Sequence, residues 1–135
     1  LAHDAGAFAR GSDPIALVSP TSDRVHALRP RANQPWVDPD LSTIPSAILN
    51  GILREALGID LADPAQQKNV EYFFDPNQFL SAIAPGHLGF WLQSASIADV
   101  FNVARAGKVL PQKSTYFYPK VPTGIAFHRV DRTED

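Results

Sequence analysis

The sequence predicts an α+β fold with a largely antiparallel or mixed sheet and about three helices packed on one face. Three observations lead to this prediction. Short apolar runs are separated by turn residues, as in β-hairpins. Three segments carry apolar residues at spacings of three and four, as on one face of a helix. Hydrophobic residues make up 44% of the 135 residues and charged residues 19%, which is typical of a globular chain.

The first part of the sequence predicts a β-hairpin after an irregular start. Residues 1–14 are small and polar, so we expect no regular structure there. Ile15–Val18 and Val25–Leu28 are short apolar or alternating runs, and the turn-forming residues 20–23 lie between them. Residues 29–39 contain three prolines and are predicted to form a loop.

The strongest helical pattern spans Leu41–Leu57. Ser42 or Thr43 can cap its start. Gly58 lies just after the last apolar residue, where helices commonly end with a glycine in the left-handed conformation. Gly51 in its middle costs on the order of 1 kcal/mol relative to alanine, so we expect a close neighbour to require it. The apolar face of this helix is formed by Ile44, Ile48, Leu49, Ile52, Leu53 and Leu57.

The middle of the chain predicts two strands around a short helix. Val70–Phe74 and Leu88–Leu92 are rich in aromatic and branched residues, which favour strands. Asp75 and Pro76 have the pattern of an N-cap and a first helical residue. Phe79, Leu80 and Ile83 give this short helix an apolar face.

A third helix and two further strands complete the prediction. Ser96 caps a helix that reaches Ala106, Asp99 stands three residues after the cap, and Gly107 ends it. Strands are predicted at Thr115–Tyr118 and Ile125–Val130. The predicted buried face of the helix consists of Ile97, Val100, Phe101 and Ala104.

Composition excludes several functions. The net charge of −2 does not favour electrostatic binding to nucleic acid or to an anionic membrane surface. The absence of cysteine excludes disulfides, thiolate metal sites and a cysteine nucleophile. No apolar run is long enough to span a bilayer, and no signal peptide opens the chain, so we expect a cytoplasmic protein. The length of 135 residues predicts a single domain, and because the chain opens at Leu1 without a methionine, we expect a processed chain or a fragment.

Motifs for catalysis or metal binding are not evident. No GxSxG or HExxH pattern occurs, so no catalytic residue is identified, and we expect no activity from the isolated chain. No cofactor is indicated. We also expect no metal, because the histidines are not at metal-ligand spacings; they are His3, His26, His87 and His128.

The most unusual segment is Leu110–Lys120. Ammonium and hydroxyl donors together with backbone amides can hold a phosphate or a carboxylate. The predicted anion-binding residues are Lys113, Ser114, Thr115, Tyr116, Tyr118 and Lys120. The alternative is an ordinary strand, in which Ser114, Tyr116 and Tyr118 would share one face and their neighbours the other.

The segment Leu-Pro-Gln-Lys-Ser-Thr-Tyr-Phe-Tyr-Pro-Lys, followed by Thr123-Gly124-Ile125, resembles the closing signature of an uncharacterised prokaryotic family, the "domain of unknown function 1015". That family typically shows Met-Pro-Pro-Lys-Ser-Thr, an aromatic turn, Pro-Lys and a Ser/Thr-Gly-Leu strand. Leu110 and Gln112 depart from this pattern, whereas Lys113-Ser114-Thr115 keep it. The order of the preceding helices and strands is also similar.

The resemblance implies that an N-terminal half is missing and that 1–135 is the C-terminal fragment of a longer protein. Full members of the family are longer, and their earlier half resembles ParB-like and free-serine-kinase proteins and carries Asp-Gly-His-His-Arg. This string does not occur in the present chain. The partners implied are therefore the missing N-terminal domain and a phosphate-containing small molecule or nucleotide.

Two functions remain as predictions. In the first, the chain is an accessory ligand-binding domain that uses the Lys-Ser-Thr loop as an anion-binding rim. In the second, it is a structural or dimerising domain with no ligand site of its own, in which Tyr72–Phe74 and Tyr116–Tyr118 pack across a homodimer interface.

Overall fold

The computed structural model describes Phe8 and residues 12–22, 24–31 and 34–115. In this part of the chain, three strands form one antiparallel sheet, and three α-helices accompany it. The predicted α+β class is confirmed. In chain order the elements are β1 (Ile15–Val18), β2 (Val25–Leu28), α1 (Pro45–Leu57), α2 (Pro76–Ala82), β3 (Gly89–Leu92) and α3 (Ile97–Arg105).

The sheet has the order β2-β1-β3, with β1 in the centre. Ile15 pairs with Leu28 of β2 on one side and with Leu92 of β3 on the other, and both pairings are antiparallel. The predicted hairpin is confirmed with its predicted bounds. Ile15 and Val18 point to opposite faces of the sheet, yet both are fully buried. The core therefore lies on both sides of the central strand.

Helix α1 begins later than predicted. Residues Pro39–Leu41 form a separate 3-10 turn, and Asp38 caps it by accepting a hydrogen bond from the backbone N–H of Asp40. Pro45 is the first residue of α1, and Ile44 before it provides no side-chain cap. The predicted capping by Ser42 or Thr43 is wrong, because the Ser42 hydroxyl donates to Pro39 O and Thr43 Oγ1 donates to Asp99.

A tryptophan ring occupies the space beside Gly51. A Cβ atom at this position would lie 2.1 Å from Cε3 of Trp36, so no larger residue fits without displacing the ring. The expected close neighbour of Gly51 is therefore Trp36. Gly58 ends α1 in the left-handed conformation with a φ of 67°, as predicted.

The predicted strand Val70–Phe74 is wrong. No strand in the described part of the chain pairs with this segment, so its backbone has no ladder to join. Its aromatic residues separate instead: Phe73 packs on Phe79 of α2, with ring centroids 6.1 Å apart. Tyr72 and Phe74 are 50% and 76% exposed.

Helix α2 packs against β3. Asp75 caps it, as predicted, by accepting hydrogen bonds from the backbone N–H groups of Asn77 and Gln78. The ring of Phe79 meets that of Trp91 edge to face, with centroids 5.9 Å apart. This aromatic contact links the short helix to the sheet.

Helix α3 has the predicted caps but a different buried face. Ser96 and Asp99 form a capping box, and Gly107 follows the helix with a φ of 69°. Val103 is the buried residue of α3, whereas Ile97 and Phe101 are 73% and 58% exposed, which contradicts their predicted burial. Asp99 lies one turn before Val103 and is bound to Thr43, so this side of the helix faces the rest of the chain.

Candidate ligand-binding site

The candidate site begins where α3 ends. The N–H of Gly107 donates to Ala104 O at 3.0 Å, and the N–H of Lys108 donates to Val103 O at 3.1 Å. This is the Schellman pattern of helix termination, which requires the left-handed conformation that Gly107 adopts. It turns the chain so that residues 108–115 lie beside the helix they have just left.

A tight turn follows at residues 111–114. The N–H of Ser114 donates to Pro111 O at 3.3 Å, which closes a four-residue turn. Lys113, at the third position, has a φ of 61°. This is the position of a type II turn that favours glycine, so a lysine there costs roughly 1–2 kcal/mol of backbone energy.

The hydroxyl of Ser114 holds this turn to α1. It donates to Pro111 O, and its oxygen lies 2.7 Å from Oγ of Ser46. Because a hydroxyl has one proton, Ser46 is the donor in the bond between the two serines. Ser46 is buried in the first turn of α1. Ser114, one of the predicted anion-binding residues, therefore uses its hydroxyl proton in a hydrogen bond within the protein.

A cavity of about 350 Å³ lies between α3 and the turn. Its polar groups come from Lys108, Lys113, Ser114 and Thr115. Neither Lys113 nor Thr115 makes a side-chain hydrogen bond or ion pair with any other residue that the structure describes. The apolar part of the lining consists of Val100, Val103, Ala104, Val109, Leu110 and Pro111. The cavity thus combines an apolar wall with an ammonium group and a hydroxyl.

Lys108 is the second ammonium group at this cavity, and it is paired. Its Nζ lies 2.8 Å from Oδ2 of Asp38. The hydrogen bond from Lys108 holds the pKa of Asp38 below its usual value, and the backbone N–H of Asp40 acts in the same direction. The same carboxylate raises the pKa of Lys108. Among the described residues that line the cavity, Lys113 is therefore the ammonium group without a carboxylate partner.

The start of α3 is held by Asp99. Its carboxylate accepts a hydrogen bond from Ser96 within the capping box and one from Thr43 Oγ1 at 2.9 Å. These bonds, the one from Ser96 first, lower the pKa of Asp99. Both ends of α3 are consequently tied to the segment that precedes α1, at Asp38 and at Thr43.

The structure brings Lys113, Ser114 and Thr115 together around one cavity. The other predicted site residues, Tyr116, Tyr118 and Lys120, lie outside the described residues, as does most of the predicted strand Thr115–Tyr118. Sequence reasoning missed Lys108, although its place directly after the helix-ending Gly107 was a usable signal. Within the described ranges, no group of three or more histidine, aspartate or glutamate side chains could hold a metal ion.

No helix in the described part of the chain is both long and apolar enough to cross a bilayer. Comparisons of the chain with protein-family models, with curated proteins and with solved structures found no match. The resemblance of residues 110–125 to the "domain of unknown function 1015" family therefore stays a prediction.

Proposed function

We propose that this chain is an accessory ligand-binding domain of a larger protein, and that it binds the anionic group of a small molecule in the cavity between α3 and the Lys113 turn. The observation that carries the proposal is that Lys113, without a carboxylate partner among the described residues, lines a cavity together with Thr115. A volume of about 350 Å³ is within the range of small-molecule sites.

The chemistry of the lining supports an anion with an apolar portion. An ammonium group and a hydroxyl can both donate to phosphate oxygens. The paired Lys108 adds positive potential at the same wall, although Asp38 offsets part of it. Val100, Val103 and Leu110 offer apolar contact to the remainder of the ligand.

Calorimetric titration with inorganic phosphate, phosphoserine and a nucleotide tests this function. We expect Lys113→Gln to weaken binding by about tenfold, because a charge-assisted hydrogen bond is lost. Lys68→Gln is the matched control, since Lys68 lies in the 3-10 turn Gln67–Asn69 and lines neither this cavity nor the second one described below. Equal affinity of the wild type and Lys113→Gln for every ligand would reject the proposal.

Membership of a longer protein is tested separately. The resemblance implies that the sequence upstream of Leu1 in the full gene product carries Asp-Gly-His-His-Arg. Reading that sequence decides the question, and its absence would remove the support that the resemblance gives.

A second function, a dimerising domain, is favoured by one observation. Tyr72 and Phe74 are half-exposed or more, and so are Ile97 and Phe101 one turn apart on α3. Aromatic side chains are enriched in protein interfaces. Sedimentation velocity at several protein concentrations tests it: a concentration-dependent dimer supports this function, and a strictly monomeric species rejects it.

A further inference from the structure

A second cavity, of about 550 Å³, lies on the other side of the Pro111–Gln112 segment from the Lys113 cavity. One face of α1 forms its floor: Ala47, Asn50, Gly51 and Arg54 recur at helical spacing along it. Trp36 and Tyr72 supply aromatic walls. The proposed function does not use this cavity.

The indole of Trp36 is fixed in the wall of this cavity. Gly51 lets the ring approach the backbone of α1 so closely that a Cβ atom there would overlap Cε3 and Cζ3. Nη2 of Arg54 donates to the carbonyl oxygen of Trp36 at 3.3 Å. A rigid indole beside the half-exposed ring of Tyr72 is suited to contact a flat, apolar ligand surface.

The guanidinium of Arg54 is held by one edge and leaves the other edge available. Nε donates to Oε1 of Glu55 at 3.0 Å, and one Nη2 proton goes to Trp36 O. The remaining N–H groups, on Nη1 and Nη2, have no partner among the described residues. Two adjacent N–H groups on one guanidinium match the two oxygens of a carboxylate.

The other charges of the cavity restrict the ligand to a single negative charge. Asp60 and Asp38 also line it. The carboxylate of Asp60 accepts the N–H of Ala62, and Asp38 is paired with Lys108. Arg54, which is already paired with Glu55, is the cation among the described lining residues, so a dianionic phosphate would meet these carboxylates without a balancing charge. A monocarboxylate needs only two of the remaining N–H groups of Arg54.

We propose that this second cavity binds a small aromatic monocarboxylate, whose carboxylate is held by Arg54 and whose ring packs against Trp36 and Tyr72. Ala47, Leu61 and Ala62 provide the apolar lining that contacts the ring. This site shares Pro111 with the lining of the Lys113 cavity, but its charged group is Arg54 rather than Lys113.

Titration with naphthoate tests the proposal, with the neutral naphthamide as the matched ligand. We expect saturable binding of naphthoate that weakens by about tenfold or more in Arg54→Gln and for naphthamide. Arg105→Gln is the control variant, because Arg105 lies at the end of α3 and does not line the cavity. Absence of saturable binding, or equal binding of naphthoate and naphthamide, would overturn the proposal.

A measurement on the wild type keeps the test independent of any folding defect in Arg54→Gln. On addition of naphthoate, we expect the indole N–H resonance of Trp36 to shift. The corresponding resonance of Trp91 should stay, because Trp91 packs on Phe79 and does not line the cavity. A shift of Trp91 alone, or no shift of either resonance, would contradict the proposed location.

Discussion

The hydroxyl oxygens of Ser46 and Ser114 lie 2.7 Å apart and join two segments that are 68 residues apart in the chain. Ser46 belongs to the first turn of α1, and Ser114 closes the turn that carries Lys113. Because Ser114 also donates to Pro111 O, two consecutive hydrogen bonds connect α1 to the turn. The position of Lys113 above its cavity therefore depends on the helix that begins at Pro45.

A double-mutant cycle on this pair tests that dependence. We expect Ser46→Ala to lower the free energy of unfolding by about 1 kcal/mol, which is typical for one hydrogen bond, and Ser114→Ala to lower it further, because Ser114 also donates to Pro111 O. The double variant should lose less than the sum, because either substitution already breaks the shared bond. Urea unfolding of the four proteins measures this, and Ser81→Ala, in which an exposed hydroxyl bonds its own helix, is the control. Strict additivity would show that the two serines are not coupled.

Because Trp36 packs against Gly51, we expect replacement of this helical glycine by alanine to lower stability rather than to raise it. Alanine in place of glycine inside a helix usually adds roughly 1 kcal/mol to stability. Here we expect Gly51→Ala to lower stability by about 1–3 kcal/mol, because the new Cβ would lie 2.1 Å from Trp36 Cε3 and the ring must move. Urea unfolding followed by circular dichroism measures the change. A gain in stability would mean that Trp36 leaves this position at little cost.

Local signals in the sequence were sufficient for much of the fold. The hairpin of β1 and β2 was predictable because its runs are separated by turn residues that act within a few positions. The caps at Asp75 and Ser96 were predictable for the same reason, since a capping side chain needs only the next three backbone groups.

Predictions that depended on distant partners failed. Val70–Phe74 has the composition of a strand, but strand formation requires a neighbouring strand, and none of the three strands in the described part of the chain pairs with it. Thr43 looked like a cap for α1, yet its hydroxyl goes to Asp99, 56 residues away. Val103, one turn after Asp99 on the same side of α3, is buried, whereas Ile97 and Phe101 are exposed.

The candidate site was predictable in part. The cluster of Lys113, Ser114 and Thr115 is visible in the sequence, and the structure places all three at one cavity. The role of Ser114 in holding the turn to α1 was not predictable, because its partner Ser46 lies in a different element. Arg54 and Trp36 were also out of reach, since only the packing of the loop 34–38 onto α1 brings them together.

The hydrogen bonds of Asp99 make stability depend on pH. Ser96, and after it Thr43, lower the pKa of Asp99 in the folded protein below its usual value of 3.8. A lowered folded-state pKa adds stability that is fully present above the unfolded-state pKa and is lost as the pH falls through the folded-state pKa. We therefore expect the difference in urea midpoint between wild type and Asp99→Asn to be full at about pH 6 and to shrink below about pH 4.

Comparison of the two proteins at each pH removes the contribution of all other titrating groups. Asn102→Ala, at an exposed position of the same helix, serves as the control, because it removes no titratable group and its difference from wild type should stay constant with pH. A difference between wild type and Asp99→Asn that stays constant from about pH 6 to about pH 2 would contradict the prediction.

Because the backbone of Lys113 is left-handed, two substitutions of this residue can distinguish its effect on stability from its effect on ligand binding. With a φ of 61°, Lys113 occupies a conformation that glycine adopts without strain. We expect Lys113→Gly to raise the free energy of unfolding by about 0.5–1 kcal/mol, because relief of strain exceeds the added chain entropy of glycine. Lys113→Ala removes the same ammonium group and keeps the strain, so it should leave stability near that of wild type. Both variants should lose phosphate affinity to a similar extent, measured by calorimetry. If Lys113→Gly were less stable than Lys113→Ala, the turn geometry would not be that of the folded protein in solution; if both variants bound phosphate like the wild type, the ammonium group of Lys113 would have no part in binding.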